Sequence, residues 1–222
     1  DASSSSMDLD TGLYPFTDSF YTTTGAVCTG LGIPEEAIET TVGVFSAVSI
    51  VRSEFLRRIK EFPTRIRQDD PAYESIAERF ESGYGIHRSK YEFGWTDLNL
   101  IRHAELINQL SSVMLTNLDV LNDVDTIKLA TRYTRQGGEG QDPRIYSKSL
   151  PAKIADWEEM VPEYTELPGW NQDLSHCDRF SALPIEAQGF VRKLERASKI
   201  PVEYVSINGS ADPHEGILRI VR

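Results

Sequence analysis

Near the start of the chain Met7, Leu9 and Leu13 are interleaved with Asp8 and Asp10, ahead of Tyr14-Pro15-Phe16. This predicts a short strand that ends in a loop. Thr22 to Pro34 is rich in Gly and Thr and predicts a loop, in which Gly25, Gly30 and Gly32 permit tight turns and close approach of backbone to a ligand. Pro34 before Glu35 and Glu36 is a helix-start signal, and the Val and Ile content over Ala37 to Val51 predicts a helix that passes into a strand. Loops and one helix, Pro71 to Glu81, are expected in the charged stretch from Lys60 to Arg88. Thr96 is the expected N-cap of a helix carrying Leu98, Ile101, Ala104, Ile107 and Leu110 at helical spacing. Ser112 to Leu115 predicts a strand, followed by the polar turn Thr116 to Asp119. Ile127, Leu129, Thr131 and Tyr133 alternate as in a strand, and Gly137 to Gly140 predicts a flexible turn. Pro184 and Glu186 open a helix with Phe190, Val191, Leu194 and Ala197 on one face. Strands are predicted over Pro201 to Ile207 and Gly216 to Val221, with a turn at Asn208-Gly209-Ser210 between them. The alternation of helices and strands makes the fold class α/β.

Composition narrows this picture in a few places. The 222 residues suffice for a hydrophobic core, and 40% apolar with 26% charged residues is ordinary for a globular chain. A formal charge of -11 argues against nonspecific nucleic-acid binding, which needs a basic surface. No apolar run is long enough to cross a bilayer, and no secretory or lipidation motif is found. Cys28 and Cys177 lack Cys-x-x-Cys or metal spacing and read as reduced thiols of a cytoplasmic protein. His87, His103, His176 and His214 are too scattered to support a zinc site. There is no Gly-x4-Gly-Lys-Ser/Thr and no Gly-x-Ser-x-Gly, which leaves a P-loop hydrolase and a serine hydrolase without support. Residue 1 is Asp, and the chain passes through a serine run straight into patterned sequence. It reads either as a chain entered in mid-fold or as one with a flexible serine tail.

Several segments, in order, resemble the adenylosuccinate synthetase family. They are LDTGLYPF at Leu9 to Phe16, TTTGAVCTGLGIP from Thr22, EFPT at Glu61 to Thr64, GWTDL at Gly94 to Leu98, LTNLDVLND at Leu115 to Asp123 and LPGW at Leu167 to Trp170. The resemblance covers the family's second half. It implies that residues 1–222 are the C-terminal half of such a domain, part of a mixed central sheet flanked by helices, with the phosphate-loop half outside this chain. The implied activity is a C–N ligase of purine nucleotide biosynthesis. GTP phosphorylates the 6-oxygen of IMP, and the amine of L-aspartate then displaces the phosphate. GTP, magnesium and a homodimer are implied with it. The phosphate loop and the catalytic Asp and His belong to the family's first half, so no catalytic residue is assigned here and the magnesium site is expected outside this chain. These 222 residues alone are expected to be inactive.

The resemblance also assigns ligand positions. The family's Lys-x-Asp turn, which holds guanine, falls on Asn117 and Asp119, and a later turn over the same base falls on Gly209 and Ser210. On the IMP side, the matching positions are Ser3 and Asp18, and Asp18 would repel a phosphate. The family's Thr-Thr-Gly-Arg segment and arginine cluster grip the aspartate substrate. Here those positions read Ile86 to Phe93, leaving Arg88 and Lys90 as candidates, with Glu92 repelling a dicarboxylate. Retained scaffold with altered contacts points to changed substrate preference. The alternative is a non-catalytic paralogue that acts as a binding or structural subunit.

Overall fold

The computed structural model describes residues 5–12, 14, 17, 19, 21–53, 62–135, 144–147, 151, 154–208 and 216–220. In chain order the elements are α1 (Thr24–Leu31), β1 (Val42–Ser46), β2 (Ser49–Arg52), α2 (Ala72–Tyr84), β3 (Tyr91–Gly94), β4 (Thr96–Asp97), α3 (Leu98–Asn108), β5 (Ser112–Thr116), β6 (Thr126–Arg135), β7 (Arg144–Tyr146), α4 (Ile154–Glu158), β8 (Met160–Pro168), α5 (Ile185–Ser198), β9 (Val202–Ser206) and β10 (Ile217–Arg219). One sheet has the order β1-β5-β9-β10. Its first three strands are parallel, and β10 turns back antiparallel on β9. A second unit pairs β2 with β3 antiparallel. In a third, β6 lies parallel to β4 and antiparallel to β7 and β8. The architecture is therefore mixed α/β, as the alternation of patterns predicts.

The longer elements follow their sequence signals. In α2 the residues Tyr73, Ile76, Ala77 and Phe80 are buried, and Gly85 closes the helix in the left-handed conformation at φ 64°. Phe80 stacks on Phe93 of β3 with ring centroids 4.9 Å apart, which fixes α2 against that strand. Helix α3 buries Leu98, Ile101 and Ala104 and packs against α5, β1 and β6. In α5 the buried face is Ala187, Phe190, Val191 and Leu194. The retained Leu-Pro-Gly-Trp segment has a steric reason. A Cβ on Gly169 would lie 1.5 Å from the Val124 carbonyl oxygen, and the Trp170 indole N–H donates to Asn122 Oδ1 at 2.7 Å.

Elsewhere the structure departs from the pattern reading. Met7 to Gly12 forms turns instead of a strand. The Asp8 carboxylate accepts from the Asp10 amide (3.0 Å), the Thr11 amide and hydroxyl (both 3.1 Å) and the Thr22 amide (2.7 Å). A side chain that captures neighbouring N–H groups removes the donors a strand ladder needs. Thr22 to Pro34 contains a helix, α1, where a loop is expected. Its Gly25 and Gly30 face open space, and Gly32 ends it at φ 65°. The Thr24 amide donates to Asn108 Oδ1 at 2.8 Å, a tertiary anchor invisible in local composition. Pro34 starts only a 3-10 turn, Glu35–Ala37, and the residues after it enter β1 and β2 without a long helix. Asp97, not Thr96, caps α3, accepting from the Asn99 amide at 2.8 Å, while the Thr96 hydroxyl donates to the Ala47 carbonyl. The nine residues of β8 carry Pro162 and Pro168, which obscured a strand whose partner is β6. The expected turn at Gly137 to Gly140 lies outside the described residues.

Candidate functional site

The parallel strands β1, β5 and β9 end together at Ser46, Thr116 and Ser206. Ligands of open α/β sheets bind beyond such carboxyl ends, because the connecting loops diverge there and leave a crevice. Asn117 follows β5 directly in the left-handed conformation (φ 58°, ψ 37°), which asparagine tolerates better than most residues. It starts the 3-10 turn Leu118–Leu121, in which Leu118, Val120 and Leu121 are buried. Those three side chains anchor the turn in the core and present Asp119, half-buried, on its other side.

Helix α2 runs beside this turn and holds it at three levels. The Ser75 hydroxyl donates to the Asn122 carbonyl at 3.3 Å, and Arg79 Nε donates to the same oxygen at 3.2 Å. At the end of the helix the Tyr84 hydroxyl donates to Asp119 Oδ1 at 2.7 Å. Burial pushes the Asp119 carboxyl above its ordinary value. The Tyr84 hydrogen bond, a bond from its own backbone amide and the Arg79 charge pull the other way, and Asp173 adds to the rise. Tyr84 itself is raised, first by burial and then by the Asp119 carboxylate. The Asn117 amide oxygen accepts from the Ser46 hydroxyl at 3.1 Å and the Thr116 hydroxyl at 3.0 Å, which ties the turn to the ends of two strands. The assembly can therefore offer a positioned acceptor to a planar ligand with adjacent N–H groups.

The remaining sequence-assigned positions divide into two groups. Ser3, Asp18, Gly209 and Ser210 lie outside the described residues. What is described of the Gly209 turn is its base, where the Ile207 amide donates to the Gly216 carbonyl at 2.8 Å and joins β9 to β10. Arg88 and Lys90 belong to the connection between α2 and β3. The Arg88 guanidinium is held by Glu81 (3.0 Å) and Glu74 (2.7 Å), both on α2. Glu81 hydrogen bonds raise its pKa further. Lys90 is exposed, and its amide donates to the His87 carbonyl at 2.9 Å. Glu92, read as repelling a dicarboxylate, forms an ion pair with Arg65 at 3.1 Å. The structure thus brings Asn117 and Asp119 together and sets Arg88 in a clamp of its own.

Tyr84 and Ser46 are site residues that the sequence reading missed. No local signal marks either, since a tyrosine at a helix end and a serine at a strand end are ordinary. Only the packing of α2 on the Asp119 turn reveals them. Among the described residues no group of three or more His, Cys, Asp or Glu side chains is placed to hold a metal ion. No helix among them is long and apolar enough to cross a membrane.

Comparison with known proteins gives the family and the fold. The sequence profile of the family described as adenylosuccinate synthetase matches residues 1–213. The adenylosuccinate synthetase of Paramecium tetraurelia is 34% identical over 207 residues, which is 92% of this chain and 44% of that protein. That of Geobacter sulfurreducens is 35% identical over 209 residues, 93% of this chain and 44% of the relative. Among solved structures, the fully ligated adenylosuccinate synthetase from Plasmodium falciparum superposes with a TM-score of 0.82 at 23% identity, covering 98% of this chain and 48% of that one. The chain spans about half the length of the relatives it matches. The ordered motifs, the mixed sheet and the match over residues 1–213 together show that this chain belongs to the adenylosuccinate synthetase family.

Proposed function

We propose that this chain supplies the guanine-recognition part of a GTP-dependent C–N ligase that joins L-aspartate to IMP in purine nucleotide biosynthesis. The observation that carries the reading is the Asp119 carboxylate. It stands beyond the carboxyl ends of the parallel strands, half-buried, with acceptor capacity left after its bond from Tyr84. A guanine presents a ring N–H and an exocyclic amine side by side, and a carboxylate can accept from both. Gly209 and Ser210 would close over the same base, and Ser3 and Asp18 would face the IMP side. Arg88 and Lys90 are the proposed amino-acid contacts, and Arg88 must first leave Glu74 and Glu81 to serve.

We also propose that residues 1–222 form the C-terminal half of the domain, with phosphate and magnesium handling supplied by the other half. The protein would act in the cytoplasm as a homodimer. Uncovered apolar surface supports a missing neighbour. Helix α1 has no buried residue, and Val42 and Val44 on the edge strand β1 are 44% and 43% exposed. A cavity of about 220 Å³ opens between α1, β1 and α3. Apolar surface of this kind marks an interface more often than a free surface.

The test is a thermal-shift titration of the intact protein with GTP, ATP and IMP. A ligand present at about 100 times its Kd stabilises by about 2.7 kcal/mol. The expected result is a rise specific to GTP that is lost in Asp119→Ala. A rise with ATP equal to that with GTP, or one that survives Asp119→Ala, refutes the base-site reading. The clamp on Arg88 favours a second reading, a non-catalytic paralogue that serves as a binding subunit. No nucleotide-dependent shift at all would support it.

A further inference from the structure

We infer that Tyr84 is the positioning residue of the base site: its phenol holds the Asp119 carboxylate in the orientation from which it accepts from a purine base, and so sets how strongly guanine is preferred. The inference rests on the base-site reading above. Asp119 sits on a short 3-10 turn, where its side chain is free to rotate unless something fixes it. The 2.7 Å bond from the Tyr84 hydroxyl to Oδ1 does so. Each carboxylate oxygen can take two donors, so after the Tyr84 bond and the contact from its own backbone amide the carboxylate still has acceptor sites for the two adjacent N–H groups of a ligand.

Tyr84 is itself well fixed. It is the last residue of α2, followed by left-handed Gly85, and its ring packs at 5.8 Å, tilted, against buried Phe80. The Asn117 side chain faces the Tyr84 hydroxyl and opposes the rise of its pKa. A continuous chain of polar contacts therefore runs across the strand ends. The Ser46 and Thr116 hydroxyls hold Asn117, Asn117 meets Tyr84, and Tyr84 donates to Asp119. Asn117 contributes no charge to the base. Its part in this chain is to aim Tyr84, and through it Asp119.

The same geometry gives a pH signature. The groups facing the Asp119 carboxylate are Tyr84 and Arg79 from α2 and Asp173 from the segment after β8. Tyr84 and Arg79 favour the ionised form, whereas burial and Asp173 oppose it. Removing the phenol takes away a contact that only the ionised carboxylate enjoys fully, so Asp119 would hold its proton to higher pH.

The experiment uses the intact protein and its Tyr84→Phe variant, which keeps the ring against Phe80. Calorimetric Kd values are measured for GTP, for ITP, which lacks the 2-amino group, and for ATP, from neutral into acid pH. Three results are expected. Affinity for GTP falls about tenfold, the size expected for one charge-assisted hydrogen bond. The GTP-over-ITP preference shrinks, and the acid limb of GTP binding moves to higher pH. Asn117→Ala, which leaves Tyr84 and Asp119 in place, should shift all three readouts in the same direction by less. If Tyr84→Phe keeps the wild-type GTP affinity, the GTP/ITP ratio and the acid limb, the positioning role is overturned while the base site stands. If the wild-type protein shows no guanine preference, the base-site reading falls and this inference falls with it. Should Tyr84→Phe unfold, Asn117→Ala decides alone, and unchanged values in it overturn the role.

Discussion

Replacing Tyr133 by Phe tests what holds the buried aspartate of the Gly-Trp-Thr-Asp segment. Asp97, its last residue, and Tyr133 on β6 are both fully buried, and the phenol O–H donates to the carboxylate. Two further bonds reach Asp97 from Asn99, the amide at 2.8 Å and Nδ2 at 3.1 Å. Phe keeps the ring and its tilted contact with Trp157 at 5.9 Å, so only the hydroxyl is lost. Losing a donor to a buried charged acceptor costs about 1.5–3 kcal/mol. With two of three donors remaining, we expect about 2 kcal/mol. Urea unfolding of wild type, Tyr133→Phe, Asp97→Asn and the double variant forms a cycle, whose coupling should lie within the roughly 0.5–3 kcal/mol seen for contacting groups.

The pH dependence adds a sign. Burial raises the Asp97 carboxyl above its ordinary value, against the opposing pull of Tyr133 and Asn99. An acid whose folded value is raised carries no penalty below its unfolded value. The penalty grows as pH climbs from there through the folded value. Stability from Asp97 therefore declines with rising pH over that window, and Tyr133→Phe should widen the window upward. A Tyr133→Phe variant within about 0.5 kcal/mol of wild type, with an unchanged pH profile, would refute the coupling.

Three further outcomes are expected. Gly169→Ala forces a Cβ to 1.5 Å from the Val124 carbonyl oxygen, so β8 must shift. The cost should be about 3 kcal/mol or more, read as a fall in the urea midpoint, and a stability equal to wild type would show that the turn relaxes freely. Burial pushes the Asp8 carboxyl up, yet its bonds from Thr22, Thr11 and Asp10 outweigh this and hold it below the ordinary range. Its contribution is thus complete above the unfolded carboxylate value and is lost as pH falls through the lower folded value. Asp8→Asn should flatten that acid limb in thermal melts, and an identical limb would remove Asp8 as its source. Arg88 hydrogen bonds hold the Glu81 carboxyl below its usual value, so in Arg88→Ala an NMR titration of Glu81 should move upward. An unmoved titration would show that the clamp is absent in solution.

The sequence by itself determined the elements whose burial pattern is local and repeated. Helices α2, α3 and α5 bury one face, β6 alternates between buried and more exposed positions, and β5 and β9 have no exposed residue; each of these patterns is written locally along the chain. Motif order was equally legible, because residues such as Gly169 and Asp119 answer to steric and acceptor demands that few other residues meet. Tertiary structure decided what depends on distant partners. Asn108 anchors the glycine-containing α1 from 84 positions away, and β6 organises the proline-bearing β8. Met7 to Gly12 forms turns because Asp8 draws in the amides of Asp10, Thr11 and Thr22. Asp119 was visible as a residue type in a motif, but its orientation was not. Tyr84 is 35 positions away and touches it only because α2 packs along the turn, a placement set by core contacts such as Phe80 on Phe93 and not by any pattern near either residue.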